Sequence, residues 1–519
     1  VETDHLISPL DLVGCRYRQV QKRRHPGIEA PESSHHRRRR LETAREVVFG
    51  LFPERPEIGD NRHFFRIDLP EVSPELSAWS REDVDKIDEA YLFTLEALAA
   101  GAHFITNPVL EGVSAGVPWY VRVDALVRRK SGAYYPVLVT NHRVARPDPR
   151  RRVKVVATSR LGLGNSGWAN YKLKSHAVDS YTLALASRAL DELGLGCQRG
   201  GLIGQDRQLT FLLDTDMLQQ GLDRALEVPV PAEARRIKEC GACRFWPVCR
   251  EELEARDDIS LFLPGDRSRA FREEGITTVA SLVDAKVGEP SVLAAAWRDG
   301  VHFLRRREDI EVPRFDREID LDVEAYLDQG AYLWGTYDGE QYRPFVTWEG
   351  VGGGEEAEGR NFARLWRWLA ARREEAAAAG ESFGVFCYAA NGENHWLRFS
   401  ARRFFGRVEG VPSPEVVEEF IGSGHWIDVF VHVKQNLAGT SGLGLKQVGP
   451  AAGFHWEAED VDGEESVNIY REATGVEVGA DVAAARQRLL GYNRDDCRAT
   501  RAVREWLGAG APGAPLMTL

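Results

Sequence analysis

Three cysteines stand close together in ECGACRFWPVCR, at Cys240, Cys243 and Cys249, a C-x2-C-x5-C pattern. Thiolates held this near one another in a short loop either share a metal or stay reduced and idle. Three of them leave a tetrahedral ion or a cubane cluster one ligand short. Cys15, in LVGCRYRQ, is the candidate for the fourth, although it lies 225 residues upstream (240 − 15). The other cysteines read as structural: Cys197 in a loop, Cys387 in an apolar strand and Cys497 in the closing helix.

A second constellation is acidic. In EIDLDVE, Glu318, Asp320, Asp322 and Glu324 alternate with Ile319, Leu321 and Val323. On a strand, alternation sends all four carboxylates to one face. Such a row repels itself, and is tolerable on a solvated edge or where divalent cations bind it. Downstream, in LLGYNRDDCRATRAVREWL, Tyr492 and Asp496 are four residues apart and share a helix face. A further acid comes from FCYAANGENHWLRF, as Glu393, or from HWIDVFVHV, as Asp428; Glu393 is taken here. Lys446, in GLGLKQVG, reads equally as a phosphate contact or as an ordinary surface lysine.

The elements that must carry these residues follow from periodicity. Residues 83–101 and 176–194 have helical patterns. WYVRVDALVRR and YYPVLVTNHRV, separated by KSGA, read as a hairpin. RSRAFREEGITTVASLVDA reads as helix, glycine turn, helix; a helical linker is preferred over a helix-hairpin-helix element. EIDLDVEAY and AYLWGTYDG are neighbouring strands. After a Gly/Glu-rich turn (350–359) come the helix NFARLWRWLAARREEAAAA, the strand FGVFCYAA and a closing helix at 483–507. Strands alternating with helices predict an α/β protein.

At 519 residues the chain is long enough for two or three domains. The division expected is 1–255 with the cysteine cluster, a helical linker at 256–310, and an acidic domain at 311–519. With 43% hydrophobic residues it has ample material for buried cores, and no stretch approaches the roughly 18 apolar residues of a membrane span. The segment VETDHLISPLDLVGC lacks the layout of a secretion signal, so a cytoplasmic protein is expected, in which seven cysteines do not form a disulfide framework. The net charge of −12 argues mildly against a nucleic-acid coat protein, but nucleic acid responds to local patches. Basic residues cluster at Arg16, Arg18, Lys22, Arg23 and Arg24, at 37–40, and at Arg150, Arg151, Arg152 and Lys154.

One distant N-terminal cysteine plus a C-x2-C-x5-C resembles the iron–sulfur staple of RecB-like nucleases. The segment TLEALAAGAHFITNPVLEGV followed by WYVRVDALVRR is similar to that family as well. The resemblance implies a restriction-endonuclease-like, PD-(D/E)XK-type N-terminal domain whose two ends are clipped by a 4Fe-4S cluster on Cys15, Cys240, Cys243 and Cys249, with zinc as the alternative. Tyr-x3-Asp near the C-terminus resembles the last motif of DEDDy-type 3′–5′ exonucleases, whose first motif is Asp-x-Glu on a strand. This implies an RNase H-like C-terminal domain in which Asp320, Asp322, Glu393 and Asp496 bind Mg²⁺ or Mn²⁺ and Tyr492 orients water. Asp320-x-Asp322 departs from that motif by one methylene. The whole implies a nuclease of DNA repair or processing, or else a non-catalytic nucleic-acid scaffold.

The first nuclease site looks degenerate. Asp124 fits the family's strand aspartate, but Leu138 and Thr140 stand where an acid and a lysine belong. Thr182 and Ala186 replace a Gln-x3-Tyr pair, and neither His35 nor His36 has the spacing of the early histidine. His142 and Arg143 are the available substitutes.

Overall fold

The computed structural model describes residues 6–54, 64–72, 80–326, 329–349, 356–457, 463–477 and 479–518. Residues 350–355 of the expected Gly/Glu-rich turn lie outside the described residues. The chain forms two units, 1–273 and 274–519. The 256–310 segment falls on both sides of that division. The helix Arg269–Glu273 closes the first unit, and the helices Val279–Ala285 and Glu289–Arg298 open the second. No helix among the described residues is long and apolar enough to cross a membrane.

The first unit is built on an eight-stranded mixed sheet. Its spatial order is Arg66–Asp68, Phe104–Thr106, Ala125–Arg128, Tyr134–Val139, Arg199–Ile203, Leu209–Asp214, Val153–Ala157 and Gly167–Ala169. The helix Ala177–Glu192 buries Leu183, Ala184, Leu185, Ala186, Ala189 and Leu190. The run WYVRVDALVRR is not one strand. Val117–Arg122 pairs with Val109–Ser114 in a separate hairpin, and Ala125–Arg128 pairs with Tyr134–Val139 in the large sheet. The break falls at Asp124, whose carboxylate accepts a bond from the Val139 backbone N–H at 2.6 Å.

The second unit holds a five-stranded sheet in the order Tyr342–Val346, Gly330–Tyr337, Arg317–Tyr326, Phe383–Cys387, Trp426–Asp428. The first three are antiparallel, and the last two run parallel to Arg317–Tyr326. The central strand, Arg317–Tyr326, is the acidic one. Its odd-numbered residues Ile319 and Leu321 enter a core with Phe362, Leu365, Val385, Leu397 and Phe404. That packing fixes register, because a one-residue slip would drive the acids into the core. Its acidic face is covered by the long closing helix, Val482–Gly508.

Candidate functional site

Alternation places Glu318, Asp320, Asp322 and Glu324 on one strand face, and the closing helix divides the row in two. At spacing four, Tyr492, Asp496, Thr500 and Arg504 form one line on that helix. Arg504, fully buried, takes the lower half of the row. Its Nε and Nη2 donate to the two oxygens of Asp320 at 2.7 and 2.9 Å, and its Nη1 donates to Glu318 at 2.7 Å. Arg501 adds a contact to Asp320 at 3.4 Å. Asp320, expected among the metal ligands, is therefore a structural ion-pair partner, because a bidentate guanidinium occupies both of its oxygens.

Among the described residues, the upper half has no guanidinium partner. One carboxylate oxygen from each of Asp322, Glu324 and Asp496 lies within 4.8 Å of the others. The Asn493 amide donates to Asp322 at 2.7 Å and itself accepts from the Tyr342 hydroxyl at 2.7 Å. This approach requires Gly335, since a Cβ there would stand 1.8 Å from the Asn493 oxygen. Ser466 donates to Glu324, and the Trp456 indole N–H to Asp496, each at 2.7 Å. Asp496 lies near enough to Tyr492 for its charge to act on the hydroxyl, and Lys446 sits over the Tyr492 ring at 5.2 Å.

Burial, with mutual repulsion, makes this group harder to ionise. Asp322 is pushed well above the usual carboxylate range by burial, then by Asp496, Glu324 and Glu393. Glu324 rises to about 8 for the same kinds of reason, with Lys446 opposing. Burial pushes Asp496 up to about 6, against the Trp456 hydrogen bond, the Tyr492 hydroxyl and Lys446. Three acids converging under such repulsion, with only oxygen donors, fit a hard divalent cation of the Mg²⁺ or Mn²⁺ type.

Glu393 lies on the first turn of the helix Asn391–Phe404, outside the 4.8 Å group but near enough for its charge to act on Asp322 and Glu324. It is 6% exposed, its Oε2 makes no hydrogen bond among the described residues, and burial lifts it to about 8. Asp428 is occupied elsewhere. It caps the helix Val429–Asn436 by accepting from Phe430, and it accepts from the Ala389 and Ala390 amides at 3.0 Å. The residue missed by sequence reasoning is Glu324. Asp322-Val323-Glu324 fits Asp-x-Glu without the departure that Asp320-x-Asp322 carries, and Arg504, eight residues after Asp496, marks which acids are neutralised.

In the first unit, Arg45 closes over Asp124. Its Nε donates to Asp124 at 2.5 Å, its Nη1 pairs with Glu71, and its Nη2 donates to Asn107 at 3.2 Å. Leu138 joins an apolar cluster, and Thr140 is buried. Thr182 bonds back to the Val178 carbonyl, and Ala186 is fully buried in the core. His142 pairs with Asp179 at 2.8 Å and Arg143 bonds the Ala145 carbonyl, so neither is directed to Asp124 by these bonds. His35 contacts the Ala30 carbonyl; the side chain of His36 lies outside the described residues.

Cys15, Cys240, Cys243 and Cys249 line one small cavity with Tyr17, Arg18, Gln21, Phe245 and Trp246. The Ile237 N–H and the Gln21 amide donate to the Cys240 and Cys249 sulfurs at 3.3 Å. Among the described residues, the three-acid group is the one set of three or more His, Cys, Asp or Glu ligand atoms all within 4.8 Å. No three of the four sulfurs therefore lie all within 4.8 Å of one another. Burial raises the Cys15 and Cys240 thiols, and lifts Cys249 to about 12. Cys197 instead bonds the Tyr134 carbonyl, and Cys387 and Cys497 are fully buried.

Residues 321–508 match the family model RNase_H_2, of the RNase H superfamily. No curated protein matches the chain. The second unit therefore carries an RNase H-like domain, a fold that points to nuclease-type, metal-dependent chemistry on nucleic acid. The matched span contains Asp322, Glu324, Glu393, Tyr492 and Asp496 and begins one residue after Asp320.

Proposed function

We propose that the second unit is a 3′–5′ exonuclease acting on DNA, with Asp322, Glu324 and Asp496 holding Mg²⁺ or Mn²⁺ and Glu393 completing the acid set. The observation that carries this reading is the three-carboxylate group, which no guanidinium pairs among the described residues, beside an acid pair that Arg504 binds. When bound, the ions supply positive charge for the attacking water and the leaving 3′ oxygen. The chain's own residues orient that chemistry. Asn493 and Ser466 fix the rotamers of Asp322 and Glu324. The Tyr492 hydroxyl, one helical turn before Asp496, orients the attacking water, and Lys446 meets the phosphate. Strands labelled at the 5′ end, incubated with Mn²⁺, should give a ladder shortening from the 3′ end, and chelator should stop it. Internal cuts alone, or no metal-dependent cleavage, would leave a nucleic-acid-binding scaffold as the function.

For the first unit, the proposal is a RecB-like, restriction-endonuclease-like domain that binds DNA without cutting it, its ends clipped by a 4Fe-4S cluster on Cys15, Cys240, Cys243 and Cys249. What supports the cluster is the set of four cysteines lining one cavity, no three of whose sulfurs lie all within 4.8 Å of one another. A cubane spreads four thiolates over a larger cage than one ion does. Anaerobically purified protein should be brown, with iron and acid-labile sulfide in equal amounts, and Cys243→Ser should bleach it. Colourless protein with stoichiometric zinc would overturn the cluster.

A further inference from the structure

The last two strands of the large sheet in the first unit, Val153–Ala157 and Gly167–Ala169, form an edge hairpin. It continues into the two-stranded ribbon Ala145–Pro147 and Tyr171–Leu173, where Arg146 lies opposite Lys172. Between residues 143 and 174 there are nine lysines and arginines (Arg143, Arg146, Arg150, Arg151, Arg152, Lys154, Arg160, Lys172, Lys174) and one acid, Asp148. Arg150, Arg151, Arg152, Arg160 and Lys172 are exposed, and none forms an ion pair with a described residue. Elsewhere on the chain, exposed arginines such as Arg250, Arg269 and Arg360 pair with glutamate or aspartate. The concentration of one charge is a property of this hairpin.

Trp168 stands at its centre. It is 57% exposed, the most exposed tryptophan among the described residues. A tryptophan left open on an edge strand is unusual, because burying it is worth more than that of most residues. It lies directly across from Lys154, and Lys154 and Arg152 place cations 5.3 and 5.6 Å from its ring. An open aromatic ring flanked by cations that have no acid partner among the described residues presents both things that a single strand can bind. Bases stack on the ring, and the phosphates on either side meet guanidinium and ammonium groups. A duplex keeps its bases stacked on one another and has no such face to give.

We propose that this hairpin is a binding surface for single-stranded DNA, with Trp168 as a base-stacking platform and Arg150, Arg151, Arg152 and Lys154 as its phosphate contacts. The inference rests on the nucleic-acid reading of the first unit and extends it; it does not depend on the metal site of the second.

The test measures the anisotropy of a labelled oligodeoxythymidylate on the full chain, in chelator so that cleavage plays no part. Trp168→Ala should weaken binding roughly tenfold, in the range set by one lost base stack, and Trp168→Phe should restore most of it. Arg152→Gln with Lys154→Gln should reduce the dependence of log affinity on log salt by about 1.4, the value for two phosphate contacts on a single strand. Trp168→Ala should leave affinity for a duplex of equal length unchanged. Unaltered single-strand affinity in Trp168→Ala, even with a lower melting temperature, would show the ring to be only a hairpin brace and overturn the proposal. So would an equal loss on the duplex, or an oligouridylate that binds more than tenfold tighter than the DNA strand. The Asp322→Asn chain, tested alongside, should bind as wild type does. Failure of the exonuclease reading then shows in cleavage alone, and failure of this surface shows in binding alone.

Discussion

Asp124, between two strands of the first unit, and Asp322, on the central strand of the second, are aspartates near an arginine, and the arginines sit differently. Arg45 reaches Asp124 itself, and with Glu71 and Asn107 it closes the position. Arg504 reaches Asp320, two residues before Asp322, and stops there. In the first unit the cation is built into the protein. In the second, an arginine neutralises half of an acid row, and the other half is the proposed cation site. Placing a fixed cation two residues along one strand face, about 7 Å at the strand rise, separates an internal ion pair from that proposed site.

The comparison breaks most visibly at Asp322. Asp322→Asn should lower Mn²⁺-dependent cleavage about a thousandfold, the rate equivalent of roughly 4 kcal/mol of transition-state stabilisation. Its melting temperature should not fall, since the substitution removes repulsion within the group. Cleavage within tenfold of wild type would place the metal site elsewhere. Arg504→Met tests the other half of the row. It strands two buried acids, and unfolding of the second unit should become easier by about 3–5 kcal/mol in a denaturant titration. Adding Glu318→Leu and Asp320→Leu should recover most of that loss, because it is the unpaired charges that cost stability.

Proton linkage sharpens the same contrast. Glu324 rises from 4.5 to about 8 and Asp496 from 3.8 to about 6 on folding. An acid whose folded value is raised contributes stability that is fully present below its unfolded value and is lost as pH climbs through the folded one. In chelator, the second unit should therefore lose stability between about pH 5 and pH 8, and Glu324→Gln should flatten that slope. Mn²⁺ at pH 8 should restore stability, because the ion replaces the protons. A pH profile that Glu324→Gln leaves unchanged would mean that Glu324 does not carry the repulsion.

Much of this architecture was legible in the sequence because periodicity reports burial. The alternation at 318–324 announced a strand with acids on one face, and the helices near 83–101, 176–194 and 483–507 formed within two residues of the expected limits. What alternation could not reveal was which acids on that face would be neutralised. That depended on the rotation of the closing helix, which sets Arg504 against Asp320 and Asp496 against Asp322 and Glu324. The same limit hid Arg45, which is 79 residues from Asp124 and lies in an arginine-rich helix that reads as solvated. The break at Asp124 was equally hidden, since WYVRVDALVRR holds no glycine or proline to mark a change of sheet.

The smallest expected effect on cleavage belongs to Asp124→Asn. The asparagine keeps an oxygen for the Val139 N–H and loses its charge opposite Arg45. Arg45 retains Glu71 and is 21% exposed, so the cost should fall below the 3–5 kcal/mol of a fully buried pair. Cleavage should stay within about twofold of wild type, because twofold is less than 0.5 kcal/mol in barrier and no step is assigned to the Asp124 carboxylate. The variant should still melt earlier in the first unit, which verifies that the ion pair was broken. If cleavage fell with it by an order of magnitude or more, Arg45 would be a gate over a working site. The distinction drawn between the two arginines would then fail at Asp124.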